Sequence, residues 1–269
     1  MKEKPSVALI GAGAMGGALL TGWLKAEVIA PRRSAVFDPS LNEITRALCD
    51  EHKVAVNIDD GPFDAVVIAV KPQIAASVLP TYASLATNST IVSVMAGKSI
   101  ASVSGMLGAA VQVARAMPNL PAAIGKGVTG VYAPHAIDEV GRALIETLMR
   151  AAGDVVWVQR EEEIDFVTAV SGSGPAYFFL LTEALADAGE ALGLSKDAAA
   201  ALARATLSGA GALMEGEARS PAEMRKAVTS PGGTTEAALR VLDGDDEALR
   251  KLINQAVGYA AKRAGELTD

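Results

Sequence analysis

The segment Gly11-Ala12-Gly13-Ala14-Met15-Gly16 constrains the fold of this chain more than any other. It follows a short apolar run, Val7–Ile10, and opens a stretch with helical periodicity over 14–25. Strand, glycine turn and helix in that order make the first half of a βαβ unit. Gly11 is placed to make the tight turn, Gly13 to let a phosphate approach the backbone, and Gly16 to let the helix lie close on the strand. The amides of Ala14, Met15 and Gly16 then face an anion at a helix N-terminus. The context points to a dinucleotide; a purely structural turn is the alternative.

The alternation continues downstream. Apolar runs Ala35–Phe37, Ala65–Val70, Thr90–Val94 and Val111–Ala114 read as strands, and 41–51, 73–84 and 99–107 as helices. Strands without a polar face suit a parallel sheet covered on both sides. A strand Gly127–Ala133, a helix near 137–152 and a strand Asp154–Val158 complete this part. Beyond about residue 161 strand signals give way to Ala-rich helical patterns. A helix is expected from Pro175 at its first position to Gly193, and another capped by Ser195 that runs to Met214. A capping box, Ser220-Pro221-Ala222-Glu223, opens the next, and a last helix follows Asp245 to Leu267. The expected organisation is an α/β dinucleotide-binding domain of the Rossmann type over 1–160 and an all-α domain over 161–269.

The 175–192 helix carries Tyr177, Phe178, Phe179, Leu180, Leu181 and Leu185 around much of its circumference, and Gly209 and Gly211 on the next helix leave room for a close neighbour. A helix apolar on most sides must be covered on most sides. A domain of about four helices has little interior for that, so a subunit interface is expected; a central helix within one domain is the alternative.

Composition removes several function classes. A net charge of −7 provides no footprint for nucleic acid. One cysteine, Cys49, rules out an internal disulfide and a Cys-based metal site, and the two histidines, His52 and His135, far apart in sequence, read as surface residues rather than ligands. No run approaches a membrane span or a signal-peptide core, so a cytoplasmic location is expected.

The strand ends indicate how a dinucleotide would be held. Asp38 closes the second strand 22 residues after Gly16, a spacing suited to an acidic partner for the adenosine ribose hydroxyls. A 2′-phosphate would meet like charge there, although Ser40 and Asn42 are near as donors. Arg32 and Arg33 precede the strand, at its far end. The pattern favours NADH, or use of both coenzymes, and a simple Asp-Pro turn is the competing reading. Val70-Lys71-Pro72 closes the strand Ala65–Val70, where Lys71-Pro72 either turns the backbone beside the nicotinamide ribose or leaves Lys71 as a solvated loop lysine, and Asn119, within Met117-Pro118-Asn119-Leu120-Pro121, either meets the nicotinamide end or starts a turn. Far downstream, Ser230-Pro231-Gly232-Gly233-Thr234-Thr235-Glu236 sets two glycines and three hydroxyls before a helix, which reads as a carboxylate clamp or as an ordinary capped turn.

Taken with Ser171-Gly172-Ser173-Gly174-Pro175-Ala176-Tyr177, these segments resemble the pyrroline-5-carboxylate reductase family over essentially the whole length. The resemblance implies an N-terminal Rossmann domain, a C-terminal helical dimerisation domain, and intertwined dimers often assembled into decamers. It implies reduction of the cyclic imine (S)-1-pyrroline-5-carboxylate to L-proline, the last step of proline biosynthesis, with NADPH or NADH as a dissociable cosubstrate and no metal. It points to Ser230 and Thr235, with backbone from Gly232, Gly233 and Thr234, as the carboxylate clamp. The family's threonine near the imine nitrogen corresponds to Thr168. Asp38 departs from the family's strongest NADP pattern. A β-hydroxyacid dehydrogenase shares the domain plan, but Lys196 and Lys226 lack the surroundings of its catalytic lysine. A non-catalytic nucleotide sensor has no use for the clamp.

Overall fold

The structure is a computed structural model and describes residues 3–58, 61–108 and 111–268. The chain divides into two compact units: one runs through Ser173 and regains the chain from Ala260 on, and the other is Gly174–Tyr259.

Among the described residues the first unit is built on eight strands: β1 Val7–Ile10, β2 Ala35–Phe37, β3 Ala55–Val56, β4 Ala65–Ile68, β5 Thr90–Ser93, β6 Val113–Met117, β7 Gly127–Tyr132 and β8 Gly153–Trp157. They lie in the order β3-β2-β1-β4-β5-β6-β7-β8. All neighbours are parallel except β6 and β7, which pair antiparallel, with Arg115 opposite Tyr132 and Met117 opposite Gly130. Between β1 and β4 the strand order reverses direction, which opens a crevice at the carboxyl ends of those strands.

Alternate residues of the strands feed two cores. Val7, Leu9, Val67, Val92 and Ala114 point to one face, with Leu19, Leu20 and Trp23 of α1 (Ala14–Lys25). Ala8, Ile10, Val66, Ile68 and Ile91 point to the other. Each fully buried aliphatic side chain contributes roughly 1.5–3 kcal/mol. On the first face Trp23 donates from Nε1 to the Leu148 carbonyl at 2.8 Å, tying α1 to the later helix over 139–150.

The helices of this unit continue with α2 Glu43–His52, capped by Asn42, α3 Ala75–Val78, α4 Ile100–Leu107, capped by Ser99, α5 Glu139–Arg150, capped by Asp138, and α6 Glu163–Val167. The single helix expected over 73–84 is instead a short α3 between two 3₁₀ turns, Pro72–Ile74 and Leu79–Ala86. Pro80 lacks an N–H and breaks the α-helical ladder there. The strand expected to stop at Ala114 runs on through Arg115 to Met117. A charge inside a buried strand reads as a strand end, but this one is matched by carboxylates brought in from elsewhere.

The helix expected to begin at Pro175 has a longer approach. A π-helical turn, Thr168–Gly172, follows α6 directly, and α7 (Gly174–Ala191) comes after it. The Ser173 N–H reaches back five residues to the Thr168 carbonyl at 2.8 Å. Proline at 175 has no N–H to give and its ring crowds the carbonyl four residues earlier, so the wider turn absorbs the conflict. Against the expectation that no run approaches a membrane span, the continuous helical stretch Glu163–Ala191 is long and apolar enough to cross one by length and composition.

In the second unit α7 is followed by α8 Lys196–Gly216, capped by Ser195. Gly189 brings α7 close to α8, since a Cβ there would sit 3.3 Å from the Ala199 methyl. The capping box at Ser220 is formed in full and starts α9 (Pro221–Ala227). Then come α10 (Thr234–Asp243) and α11 (Ala248–Leu267). The reading of α7 as a helix central to one domain does not hold: Phe178, Phe179, Leu180, Leu181 and Leu185 are each more than half exposed in the single chain. Cβ atoms at Gly209 and Gly211 would meet open space.

Candidate functional site

The glycine turn sits at the carboxyl end of β1. Gly11 has φ +88°, and a Cβ there would lie 2.8 Å from the Ala69 carbonyl group. A Cβ on Gly16 would overlap the Gly11 carbonyl oxygen. Both glycines are required by the protein's own backbone. Gly13 is different. Its φ of −66° is ordinary, and a Cβ there would meet nothing within 4 Å. The space in front of it suits an approaching phosphate. Gly13 caps α1 without a side chain, and the first intrahelical bond runs from the Gly17 N–H to the Gly13 carbonyl. The amides of Ala14, Met15 and Gly16 therefore open the helix as anion donors.

Asp38 stands beside this turn. Its Oδ2 accepts from the Ala12 N–H at 2.8 Å and its Oδ1 from the Ser40 N–H at 2.8 Å. It is thus a turn residue and a neighbour of the phosphate loop together. A cleft of about 520 Å³ next to it is lined in part by Phe37, Pro39, Asn57 and Tyr82. Arg33 is at the opposite sheet edge, paired with Glu3 and, at 3.3 Å, with Asp64. Val70, Lys71 and Pro72 follow β4, and the Lys71 carbonyl accepts from Ile74 N–H in the turn that begins there. Gly11–Gly16, Asp38, Ser40 and Val70–Pro72 share the carboxyl edge of the sheet.

Asn119 is buried at the end of β6. Its Oδ1 accepts from Val128 N–H at 2.9 Å and its Nδ2 donates to the Ser171 carbonyl at 3.1 Å. It ties the sheet to the π-turn. Two further anchors hold that turn. A Cβ on Gly130 would come within 2.5 Å of Val167, so β7 admits α6 only because glycine is there. Arg115, with its side chain 3% exposed, sets Nη2 3.0 Å from Asp165 Oδ1 and Nη1 3.6 Å from Glu161 Oε1. Nη2 also donates to Thr268 Oγ1 at 3.2 Å, and Thr268 donates on to Asp165. Glu161 in turn accepts from the Ile100 N–H that opens α4. The arginine Nε is buried without a partner among the described residues.

Thr168 begins the π-turn. Its hydroxyl donates to the Ile164 carbonyl at 2.8 Å, and that of Ser171 donates to Val167 at 3.0 Å. A hydroxyl whose proton is committed in this way presents only its lone pairs. Cys49 is no nucleophile: it is fully buried, and burial, then Asp50, push its thiol up against the smaller pull of Arg46.

In the second unit Ser230–Thr235 forms the expected turn into α10. Gly232 has φ +72° with open space at its Cβ position, and Gly233 caps the helix without a side chain. Thr234, Thr235 and Glu236 are the first helical residues, and the first intrahelical bond runs from Ala237 N–H to the Gly233 carbonyl. The Gly232 N–H is already given to Glu236 at 2.9 Å. Glu236 is legible in the sequence as the carboxylate of this segment, but its bond to Gly232 is not, and Arg115 and Asn57 carry no local signal.

Comparison with known proteins matches both halves. The family model described as pyrroline-5-carboxylate reductase dimerisation fits residues 161–267, and that described as NADP oxidoreductase coenzyme F420-dependent fits residues 6–97. The apolar stretch Glu163–Ala191 falls within the dimerisation match. Pyrroline-5-carboxylate reductase of Pseudomonas aeruginosa is 38% identical over 270 residues, covering 98% of this chain and 97% of that protein. Pyrroline-5-carboxylate reductase 2 of Bacillus subtilis is 32% identical, covering 98% and 95%. The solved pyrroline-5-carboxylate reductase of Coxiella burnetii superposes with a TM-score of 0.89 at 34% identity, covering 99% of this chain and all of that one. The Plasmodium falciparum pyrroline carboxylate reductase with NADP bound gives 0.81 at 25% identity, with 99% of each covered. With its doubly wound sheet, its helical dimerisation region and relatives of this closeness along its full length, the chain belongs to the pyrroline-5-carboxylate reductase family, NAD(P)H-dependent oxidoreductases of proline biosynthesis.

Proposed function

We propose that this chain reduces (S)-1-pyrroline-5-carboxylate to L-proline in the cytoplasm as a self-associating enzyme, with residues 1–160 binding the coenzyme and 161–269 binding substrate and the partner copy. Gly11, Gly13, Ala14, Met15 and Gly16 hold the pyrophosphate of NADPH or NADH. Asp38 and Ser40 meet the adenosine ribose, and Val70, Lys71, Pro72 and Asn119 border the nicotinamide half. Ser230 and Thr235, with the backbone of Gly232, Gly233 and Thr234, hold the substrate carboxylate, which takes the place of Glu236 on the Gly232 N–H and of the Ser230 carbonyl on the Gly233 N–H.

The observation that carries the reading is the state of the Thr168 hydroxyl. Its proton goes to the Ile164 carbonyl, so it is an acceptor and not an acid. An enzyme reducing a ketone needs a proton donor or an oxyanion partner. A protonated cyclic imine is already electrophilic and offers an N–H, which an acceptor can hold. When bound, the reduced nicotinamide supplies hydride. The C–H bond forms at the imine carbon, the C=N π pair moves to nitrogen, and the positive charge disappears. The chain's task is orientation: Thr168 fixes the ring nitrogen and the clamp fixes the carboxylate. Steady-state oxidation of NADH and NADPH by purified protein with pyrroline-5-carboxylate tests this. Saturable turnover with either is expected. Folded protein that binds a coenzyme and turns over neither would reject the substrate.

A further inference from the structure

We infer that this chain prefers NADH to NADPH, and that Asn57 is the positioning residue that makes Asp38 enforce the preference. The inference rests on the reading of the glycine turn as the coenzyme site.

A carboxylate at the end of β2 excludes a 2′-phosphate only if it cannot turn aside. Here it is held at both ends. Its two oxygens accept from Ala12 and Ser40 as described. Its own backbone is paired with one side chain: the Asp38 N–H donates to Asn57 Oδ1 at 2.9 Å, and Asn57 Nδ2 donates to the Asp38 carbonyl at 3.0 Å. Asn57 is fixed in turn, because its N–H donates to the Val36 carbonyl at 2.8 Å. Its φ of +55° lies in the left-handed region that asparagine tolerates better than most residues. The Asn57 amide thus continues the pairing of β2 one residue past the end of β3 and clamps Asp38 in register.

Releasing Asp38 would strip the acceptor from the Ala12 N–H, whose residue is 2% exposed, and a buried donor without a partner is costly. The negative charge is therefore a fixed part of the phosphate loop. Its remaining lone pairs suit the ribose hydroxyls of NADH. The 2′-phosphate of NADPH would meet that charge with no cation among the described residues of the adjoining cleft to offset the repulsion. The described lining of the adjoining cleft contains no lysine or arginine, and Arg33 is committed to Glu3 and Asp64 at the other edge.

Titration calorimetry of the purified protein with NADH and with NADPH tests this without catalysis. The expected Kd for NADPH is weaker by roughly tenfold or more, the size of one unfavourable contact with a charged group. Asp38→Ser should cut that ratio by about tenfold. Asn57→Gly keeps the left-handed backbone and deletes both side-chain bonds. It should move the ratio of Kd values, and of kcat/KM values, in the same direction by roughly threefold or more, while the KM for pyrroline-5-carboxylate stays put. Wild-type protein that binds NADPH as tightly as NADH overturns the preference. A ratio unmoved in Asn57→Gly removes Asn57 from it, and if that variant does not fold, an unmoved ratio in Asp38→Ser does the same for the clamped carboxylate. Failure to bind either coenzyme overturns the underlying site instead, and loss of turnover with binding intact bears on the substrate alone.

Discussion

Gly13→Ala separates coenzyme binding from folding. The new methyl meets no atom within 4 Å, and φ is ordinary. Reduced freedom of the unfolded chain gains about 0.4–1 kcal/mol. Replacing a glycine N-cap by alanine costs about the same. Net stability should stay within about 1 kcal/mol, roughly 2–4 °C in Tm for a unit of this size. In the proposed coenzyme site the methyl nevertheless stands where the amides of α1 would meet the pyrophosphate. Losing two amide bonds to a charged phosphate, at about 1.5–3 kcal/mol each, weakens coenzyme binding roughly 10²–10⁴-fold. Gly16→Ala is the contrasting variant. Its methyl overlaps the Gly11 carbonyl, so the backbone must shift at a cost of about 1–3 kcal/mol or more. Calorimetric titration and coenzyme-free thermal unfolding read the two effects apart. A Gly13→Ala protein that melts as wild type and binds coenzyme as tightly would refute the argument. So would one that melts far below wild type, since it would reveal a contact absent here.

Arg115→Met should destabilise the first unit by about 3–5 kcal/mol, because it leaves Asp165 and Glu161 facing a buried site without their cation; a loss under about 1 kcal/mol by urea denaturation would show the network to be dispensable. Thr235→Ala should raise the KM for pyrroline-5-carboxylate roughly 10–150-fold, the worth of one hydrogen bond to a charged group, with coenzyme Kd nearly unchanged; an unaltered KM removes Thr235 from the clamp. Burial works against ionisation of Asp64, but hydrogen bonds from the Ser6 N–H and hydroxyl, with Arg33 beside it, outweigh that and hold its carboxyl below the usual 3.8. Its folded value is depressed, so its contribution is present above pH 3.8 and is lost as pH falls through the folded value. Asp64→Asn should therefore flatten the acid limb of stability below that pH, and an acid limb identical to wild type would contradict the assignment.

Local signals carried most of the fold. The glycine turn and the caps at Ser195 and Ser220 each depend on neighbours within a few residues and formed where the pattern put them; the apolar strands formed at or near theirs, apart from β6, shifted to Val113–Met117, and β3, which no run marked. The strand through Arg115 was misjudged because its charge is balanced by Asp165 and Glu161, about 50 residues later. Pro175 reads locally as a helix start, and only the π-turn before it shows how a helix can precede it. Asn57 carries no local signal, because its side chain pairs with the Asp38 backbone just past the end of β2. At the site, glycines and strand ends were legible, while hydrogen-bond direction was not: nothing in the sequence says that the Thr168 proton is committed to Ile164, or that Glu236 occupies the Gly232 amide.

Trp23 and Trp157 are the chain's two tryptophans, and both lie in the first unit. Trp23 is sealed in the core, whereas Trp157 is half-buried, donates to Glu146 and has the Arg142 guanidinium 5.4 Å above its ring. Indole emission therefore comes from the first unit. Far-ultraviolet circular dichroism draws on the helices of both units. Where the two optical melting curves coincide, a single free energy of unfolding describes the chain. Where they separate, the gap between them reports how independently the two units come apart.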